Sequence, residues 1–279
     1  MVKAGKELPI AYWSHSSLMA FLRNPLAWYK RYVEQIYDTP SSPAGVVGRA
    51  AHVAVEHYYS GLPAPAATEL GLEALRNVSD FEINFGKAVT RKAKKKKRAS
   101  MEREYLQATG FYFAKPPRFK VVGVEVKGMA PVPGVPIPVK AVSDLVVKSS
   151  VEPGALDIVD HKFVDSWSAY RAQKTVFIIQ ALFNYYTVKE KFNKPVRRFI
   201  IIECKKTKNA DGSAQLRRYT IDFAKQRHEF ALFTRLLRDA TLQLKNTQVF
   251  LPNPSDLFEG ENSFDIYRLG LAEEEGEEE

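Results

Sequence analysis

At the middle of the chain stands Leu156-Asp157-Ile158-Val159-Asp160-His161-Lys162-Phe163, a short run of apolar residues with charged residues between them. This pattern predicts a β-strand over about residues 155–164. Because side chains alternate between the faces of a strand, we expect Asp160 and Lys162 on one face and Asp157 on the other. A carboxylate and an ammonium group on one face can hold a metal ion and a water molecule together. Taken alone, the pair also fits an ion pair on the surface of an edge strand.

The strand predicted before this run, over residues 138–148, supplies a second acid, Asp144. If the two strands pair as a hairpin, Asp144 approaches Asp160. Two carboxylates and a backbone carbonyl are the hard oxygen ligands that suit Mg²⁺ or Mn²⁺. The two strands together therefore indicate a site for a divalent metal ion.

The order of elements on either side predicts the fold class. Helical patterns come first, over residues 14–35, over 48–59 and over the stretch to about 107. Strands are predicted next, at 120–127, 138–148 and 155–164. A helix over 166–192, strands over 196–204 and 215–221, and a helix over 223–244 follow them. A cationic run, residues 91–98, is expected to interrupt the third helical region. This order predicts an α/β fold, with helices on the faces of a sheet.

Composition restricts the possible partners. The 279 residues are 45% hydrophobic and 26% charged, which excludes a fibrous repeat and wholesale disorder. The net charge is +9 although six acids lie within the last seven residues, so the rest of the chain is more strongly positive than this value. That positive charge favours a polyanionic partner, nucleic acid before membrane. The apolar runs are too short for a membrane-spanning helix, and the first 25 residues lack a signal-peptide core, so we expect a cytoplasmic protein. A single cysteine, Cys204, excludes an internal disulfide and a cysteine-held cluster.

Several short motifs follow one another along the chain in a fixed order. They are Ser14-x-Ser16, Phe21-Leu22-Arg23-Asn24-Pro25, Gly48-x-x-x-His52, Asp144, Asp160-x-Lys162, Gln180 and Leu251-Pro252-Asn253-Pro254. Each motif is degenerate, but the combination over about residues 12–258 resembles the RecB-like branch of the PD-(D/E)xK nucleases.

That resemblance implies a restriction-endonuclease-like core with a central mixed β-sheet flanked by helices, and a helical N-terminal elaboration. It implies one nuclease domain over residues 1–265, with a helical region at about 12–110, a sheet core at about 119–222 and a C-terminal helix at about 223–246. The acidic residues 271–279 are expected to form a disordered tail.

The resemblance also implies roles for individual residues in the metal-dependent hydrolysis of DNA. Asp144 and Asp160 bind the metal, Mg²⁺ or Mn²⁺, with the main-chain carbonyl of His161 and the imidazole of His52 as further ligands. Lys162 orients or polarises the attacking water, and Gln180 steadies the site from its helix.

The chain departs from the family pattern at several positions. Ala141 replaces a glycine that many relatives carry before the first metal-binding acid. Asn184 occupies the place of a tyrosine that usually follows the glutamine by four residues, and Tyr185 would face elsewhere, since one residue turns a helix by about 100°. Asn24 stands where some relatives carry the first of four cluster-binding cysteines, and no cysteine follows Pro254. We therefore expect a member without an iron–sulfur cluster.

Two groups of cations are candidates for contact with DNA. Lys30 and Arg31 lie in an aromatic and basic helix, and Lys94, Lys95, Lys96 and Lys97 lie within the run of residues 91–98. The run also fits a localisation signal or a solvated helix face. Glu125, on the first strand of the sheet, fits an additional metal-site acid and a solvent-facing residue about equally well.

These features predict a DNA exonuclease of recombination, repair or phage DNA processing, encoded by a bacterium or a phage. The expected partner is DNA with free ends, a recombination or replication protein is a further candidate partner, and no membrane is expected. Two alternatives remain open: a catalytically weak nucleic-acid-binding module and a dimeric restriction-type endonuclease. The presence of Asp144, Asp160 and Lys162 together argues against the weak module.

Overall fold

The computed structural model describes residues 8–36, 40–168, 170–210 and 212–253, and for residues 170–176 it describes the backbone alone. The helices are α1 (His15–Arg23), α2 (Pro25–Tyr32), α3 (Pro43–Tyr59), α4 (Ala64–Asn77), α5 (Arg91–Ala114), α6 (Tyr170–Phe192) and α7 (Arg227–Asn246). The strands are β1 (Trp13–Ser14), β2 (Val121–Ala130), β3 (Val139–Lys148), β4 (Leu156–Val164), β5 (Val196–Lys205) and β6 (Leu216–Asp222). The chain divides into two compact units, which are described separately below.

The larger unit comprises residues 40–128 and 142–227 and contains most of the sheet. Strand β4 lies between β3, to which it is antiparallel, and β5, to which it is parallel, and β6 follows antiparallel to β5. Strand β2 pairs with β3. The sheet is therefore mixed, and the expectation of an α/β fold with a central mixed sheet is confirmed.

Helices α3, α4 and α5 pack around an apolar cluster in the larger unit. Their buried side chains include Val47, Leu75, Met101 and Tyr105. The hydroxyl of Tyr105 donates to the carbonyl of Thr68 on α4, and a Cβ at Gly71 would lie 2.2 Å from that hydroxyl oxygen. A glycine is therefore required at this position of α4, since a Cβ would also lie 2.6 Å from the carbonyl oxygen of Ala50 on α3.

The smaller unit comprises the described parts of residues 1–39, 129–141 and 228–279. Strand β1 pairs in parallel with the start of β3, and the indole Nε1 of Trp13 donates to Thr241 Oγ1 on α7 at 2.9 Å. Trp28 packs against Phe21 and Phe250, and it is fully buried. These aromatic side chains are the core of this unit.

The observed elements differ from the predicted ones at a few boundaries. The run of residues 91–98 does not interrupt a helix but begins α5, because the Thr90 side chain accepts a hydrogen bond from Ala93 N and so caps the helix there. Helix α6 begins at Tyr170 rather than Ser166, and a short 3₁₀ turn, Phe223–Lys225, precedes α7. Strand β1 was not predicted, since two residues are too few to show alternation. The acidic tail at 271–279 lies outside the described residues, and the assignment of one domain to residues 1–265 stays a prediction.

Candidate active site

The two predicted acids meet through the register of β3 and β4. Leu145 pairs with Val159, and because the strands are antiparallel, the next position of the same register sets Asp144 opposite Asp160. The backbone amide of His161 donates to Asp144 Oδ2 at 2.7 Å. Hairpin pairing thus brings the two carboxylates to the same place in the sheet.

Asp160 is the centre of the polar contacts at this site. Lys162 Nζ donates to Asp160 Oδ1 at 3.0 Å and lies 2.8 Å from Oδ2, and Gln180 Nε2 on α6 donates to Oδ1 at 2.7 Å. Burial raises the pKa of Asp160 above its usual range, against the opposing effect of the Lys162 ammonium. Burial lowers the pKa of Lys162, but the carboxylate of Asp160 outweighs burial and raises it, so this ammonium stays protonated.

A chain of hydrogen bonds fixes the position of Gln180. Asn184 Nδ2, one helical turn later, donates to the Gln180 carbonyl at 2.8 Å, and Ser143 Oγ on β3 donates to Asn184 Oδ1 at 2.6 Å. Both Ser143 and Asn184 are buried. Asn184 therefore links α6 to the strand that carries Asp144. Tyr185 faces elsewhere, since its ring packs on Phe223 at 4.8 Å between centroids.

Helix α3 places His52 beside Asp144. The helix is capped at its start by Ser42, whose Oγ accepts from Gly45 N, and His52 Nδ1 lies 3.3 Å from Asp144 Oδ2. Burial favours a higher pKa for Asp144. The neighbouring imidazole of His52 and the hydrogen bond from His161 have a larger, opposite effect, so the pKa of Asp144 lies well below its usual range. Burial lowers the pKa of His52, and Asp144 outweighs this effect and raises it.

The imidazole of His161 lies between Asp144 and the core, with its Nδ1 3.5 Å from Asp144 Oδ2. The Tyr112 hydroxyl lies 2.9 Å from His161 Nε2 and 2.9 Å from the Tyr59 hydroxyl, which in turn donates to the Pro117 carbonyl at 2.7 Å. His161 is fully buried. Its imidazole therefore connects Asp144 to the packing between β4 and α5, and the role of its main-chain carbonyl in metal binding stays a prediction.

The donor chemistry of the site fits a hard divalent cation. Asp144 and Asp160 supply carboxylate oxygens, and Asp160 Oδ2 is buried without a hydrogen-bond partner although Lys162 Nζ is near it. Within the described ranges of the chain, no three His, Cys, Asp or Glu side chains converge as a metal-binding group. The carboxylates are instead engaged by the cationic and amide groups of Lys162, Gln180 and His52.

Glu125 is a further acid near these residues. It lies on β2 with a φ of 47°, which is a left-handed conformation that breaks the regular strand. Burial raises the pKa of its carboxyl to about 7, and the charges of Asp144 and Glu56 add to the rise. A carboxyl group with this pKa is partly protonated near neutral pH.

Glu203 was missed by sequence reasoning. It stands opposite Lys162 in the parallel pairing of β4 with β5, is fully buried, and accepts hydrogen bonds from the amide and the hydroxyl of Ser168. Its negative charge contributes to the raised pKa of Lys162. The only signal in the sequence is one acid among the apolar residues of β5.

The predicted cationic residues lie in different units. Lys94, Lys95, Lys96 and Lys97 lie in the first two turns of α5 in the larger unit, where Lys95 and Lys96 are exposed and Lys94 Nζ lies 5.5 Å from the centroid of the Phe85 ring. Lys30 and Arg31 lie on α2 in the smaller unit, where Lys30 pairs with Glu34 at 2.8 Å. No helix within the described residues is long and apolar enough to cross a membrane.

A family model identifies the superfamily of this chain. The model of the PD-(D/E)XK nuclease superfamily matches residues 12–257, and the mixed sheet is consistent with the restriction-endonuclease-like fold of that superfamily. No curated protein matches the chain. A solved structure described as "Crystal structure of SSO0001" is similar at 13% identity, over 80% of this chain and 85% of that one, with a TM-score of 0.32.

Proposed function

Because the chain belongs to the PD-(D/E)XK nuclease superfamily, we propose that it is a divalent-metal-dependent deoxyribonuclease of the RecB-like branch, acting as an exonuclease without an iron–sulfur cluster. The observation that carries the proposal is the convergence on Asp160 of Lys162 Nζ and Gln180 Nε2, beside Asp144. A surface ion pair would not explain why Asp160 is 5% exposed and bonded from two elements.

In this proposal Asp144, Asp160, the carbonyl of His161 and the imidazole of His52 hold the metal ion, Mg²⁺ or Mn²⁺. Such an ion lowers the pKa of a bound water and stabilises the charge that develops on the phosphate. The low pKa of Asp144 keeps that carboxylate ionised for metal binding at neutral pH. His52 and the backbone amide of His161 position the Asp144 carboxylate.

Lys162 and Gln180 act on the reaction in different ways. Lys162 is protonated beside Asp160, so its ammonium orients the attacking water and offsets the negative charge of the transition state. Gln180 holds Asp160 in one orientation from α6, with Asn184 and Ser143 behind it. An orienting group of this kind is typically worth 10- to 100-fold in activity or metal affinity, roughly, at related sites.

We also propose the biological setting that the sequence suggests: recombination, repair or phage DNA processing in a bacterial cytoplasm, with DNA as the substrate and a recombination or replication protein as a candidate partner. The net charge of +9 supports a nucleic-acid substrate.

Cleavage of linear, nicked and closed circular DNA, each with labelled strands, in Mg²⁺ or Mn²⁺ tests the proposed function. We expect linear DNA to be degraded from its ends and closed circles to stay intact. Asp160→Asn and Lys162→Ala should each lower the cleavage rate by at least about 10³-fold, with DNA binding in EDTA unchanged. Matched changes of exposed residues on α7, Asp239→Asn and Lys245→Ala, should leave both properties unchanged.

Two results would contradict the proposal. Discrete fragments from closed circles would identify a restriction-type endonuclease, and DNA binding with no cleavage in either metal would identify a binding module.

A further inference from the structure

A cavity of about 430 Å³ lies in the larger unit, away from the candidate active site. Asp157 on β4 lines it, and Asp157 is three residues from Asp160. Since side chains alternate along a strand, these two acids point to opposite faces of the sheet. The cavity and the candidate active site thus share a strand but open on different faces, and a ligand in the cavity is not the phosphate that Asp160 would act on.

Cations dominate the wall of this cavity. Arg118, Lys120, Lys148 and Arg218 line it with exposed side chains, and none of them makes an ion pair with a carboxylate within the part of the chain that the structure describes. Four positive charges around one concave space create a strong local attraction for a multiply charged anion.

A fifth cation of the cavity, Arg198, is fixed in place. Its Nη2 donates to Asp157 Oδ2 at 2.5 Å and to Ser150 Oγ at 2.8 Å. Asp157 is 1% exposed, and its other oxygen, Oδ1, is buried with no hydrogen-bond partner. The cavity therefore contains a guanidinium that a buried carboxylate and a serine hydroxyl hold in position.

The remaining lining is apolar. Val147 on β3 and Ile200 on β5 are buried, and the half-buried ring of Phe119 is also part of the lining. A ligand-sized space that combines an aromatic ring, an apolar floor and a few polar groups is typical of small-molecule sites of about 300–1,000 Å³.

We propose that this cavity binds a nucleoside 5′-phosphate, either free or at the end of a DNA strand. The phosphate groups contact the cations of the wall, and the base stacks against Phe119. This assignment accounts both for the excess of cations and for the aromatic ring among them, whereas inorganic phosphate alone would use only the cations.

Titration calorimetry of the full chain in EDTA tests the proposal, since chelation keeps metal-bridged nucleotide out of the candidate active site. The probes are dATP, deoxyadenosine and tripolyphosphate. We expect saturable binding of one dATP per chain, with deoxyadenosine and tripolyphosphate each at least tenfold weaker. The Lys148→Ala/Arg218→Ala variant should weaken dATP binding at least tenfold, and Phe119→Leu should weaken the binding of dATP but not that of tripolyphosphate.

Two control variants show where the probe binds. Lys208→Ala/Lys225→Ala removes the same charge from exposed positions outside the cavity lining, and Asp160→Asn alters the candidate active site; both should bind dATP as the wild type does. Circular dichroism melts confirm that each variant is folded. Tighter binding of a 5′-phosphorylated hexanucleotide than of dATP, lost in the Lys148→Ala/Arg218→Ala variant, would identify a strand end as the natural ligand, and the reverse order would identify the free nucleotide.

Three outcomes would overturn the proposal. They are the absence of saturable dATP binding, equal affinity for tripolyphosphate, and equal losses in the cavity variant and its charge-matched control. None of these outcomes bears on DNA cleavage, so the proposed nuclease activity stands or falls separately.

Discussion

Glu203 on β5 stands directly opposite Lys162 on β4, and because residues paired across adjacent strands share a face, both side chains leave the same face of the sheet. The carboxylate is fully buried and bonded by Ser168, while the ammonium bonds Asp160. Lys162 therefore has two acids as neighbours: Asp160, at the candidate metal site, and Glu203, on the adjacent strand β5.

We expect Glu203→Gln to lower kcat for DNA cleavage by about tenfold with little change in KM, because Lys162 would lose an electrostatic partner that holds its ammonium. The amide keeps the shape of the side chain and can still accept from Ser168. Steady-state kinetics measures both constants, and Glu190→Gln, at an exposed position of α6, is the matched control. A wild-type kcat in a folded Glu203→Gln variant would mean that Glu203 serves packing alone.

Gln180→Ala should raise the metal concentration needed for half-maximal cleavage by roughly 10- to 100-fold, since Asp160 would lose the donor that orients it. DNA affinity in EDTA should be unchanged. Metal titrations of activity give the first quantity, and fluorescence anisotropy gives the second. Gln243→Ala, at an exposed position of α7, should behave as the wild type. A weaker DNA affinity with an unchanged metal requirement would assign Gln180 to substrate binding instead.

Replacing Lys94 to Lys97 with Gln should flatten the salt dependence of DNA binding by roughly two to three units of log K per log [salt], since each cation that contacts a phosphate of duplex DNA contributes about 0.9. The exposed pair Lys95 and Lys96 should account for most of this change, because Lys94 lies against the Phe85 ring. The cleavage rate at saturating DNA should hardly change.

Binding isotherms between about 50 and 200 mM salt measure this slope. Replacement of Lys194, Lys208, Lys225 and Lys245 with Gln, all at exposed positions outside the run, controls for the loss of four charges. An unchanged slope would show that the run is only a solvated helix face.

Cys204 should react with thiol reagents only when the protein unfolds. Its side chain is 1% exposed, with Sγ 3.5 Å from the Ala108 carbonyl oxygen, and burial raises the pKa of the thiol from 9.0 to about 12. Because the folded state disfavours the thiolate, this group contributes stability below pH 9 that is lost as the pH rises towards 12.

Denaturant unfolding of the wild type and of Cys204→Ala from pH 8 to pH 11 measures this contribution. The free energy of unfolding of the wild type should fall more steeply, by up to about 1.4 kcal/mol per pH unit above pH 9. Equal slopes, or rapid labelling of the native protein at pH 8, would contradict the burial of this thiol.

Purified protein should contain no stoichiometric iron and should still cleave DNA. With one cysteine, the chain lacks the four thiolates that hold an iron–sulfur cluster. Elemental analysis of protein purified without oxygen checks this, and about four iron atoms per chain would refute it.

Local pattern was enough to predict the strand at residues 156–164, the shared face of Asp160 and Lys162, and the helices and strands around them. Alternation and helical spacing depend only on neighbouring residues, so they can be read along the chain. Boundaries were less predictable where a single side chain decides them, as Thr90 does by capping α5 ahead of the cationic run.

Contacts between distant residues required the folded chain. Nothing in the sequence reveals that Glu203 stands across from Lys162, that Asn184 bonds Gln180 and Ser143, or that the side chain of His161 faces Tyr112. These relationships depend on which strands pair and in which register, and a shift of one residue would turn every side chain of a strand to the other face. The same register collects cations from four separate segments around one cavity, because the sheet and not the sequence order makes them neighbours.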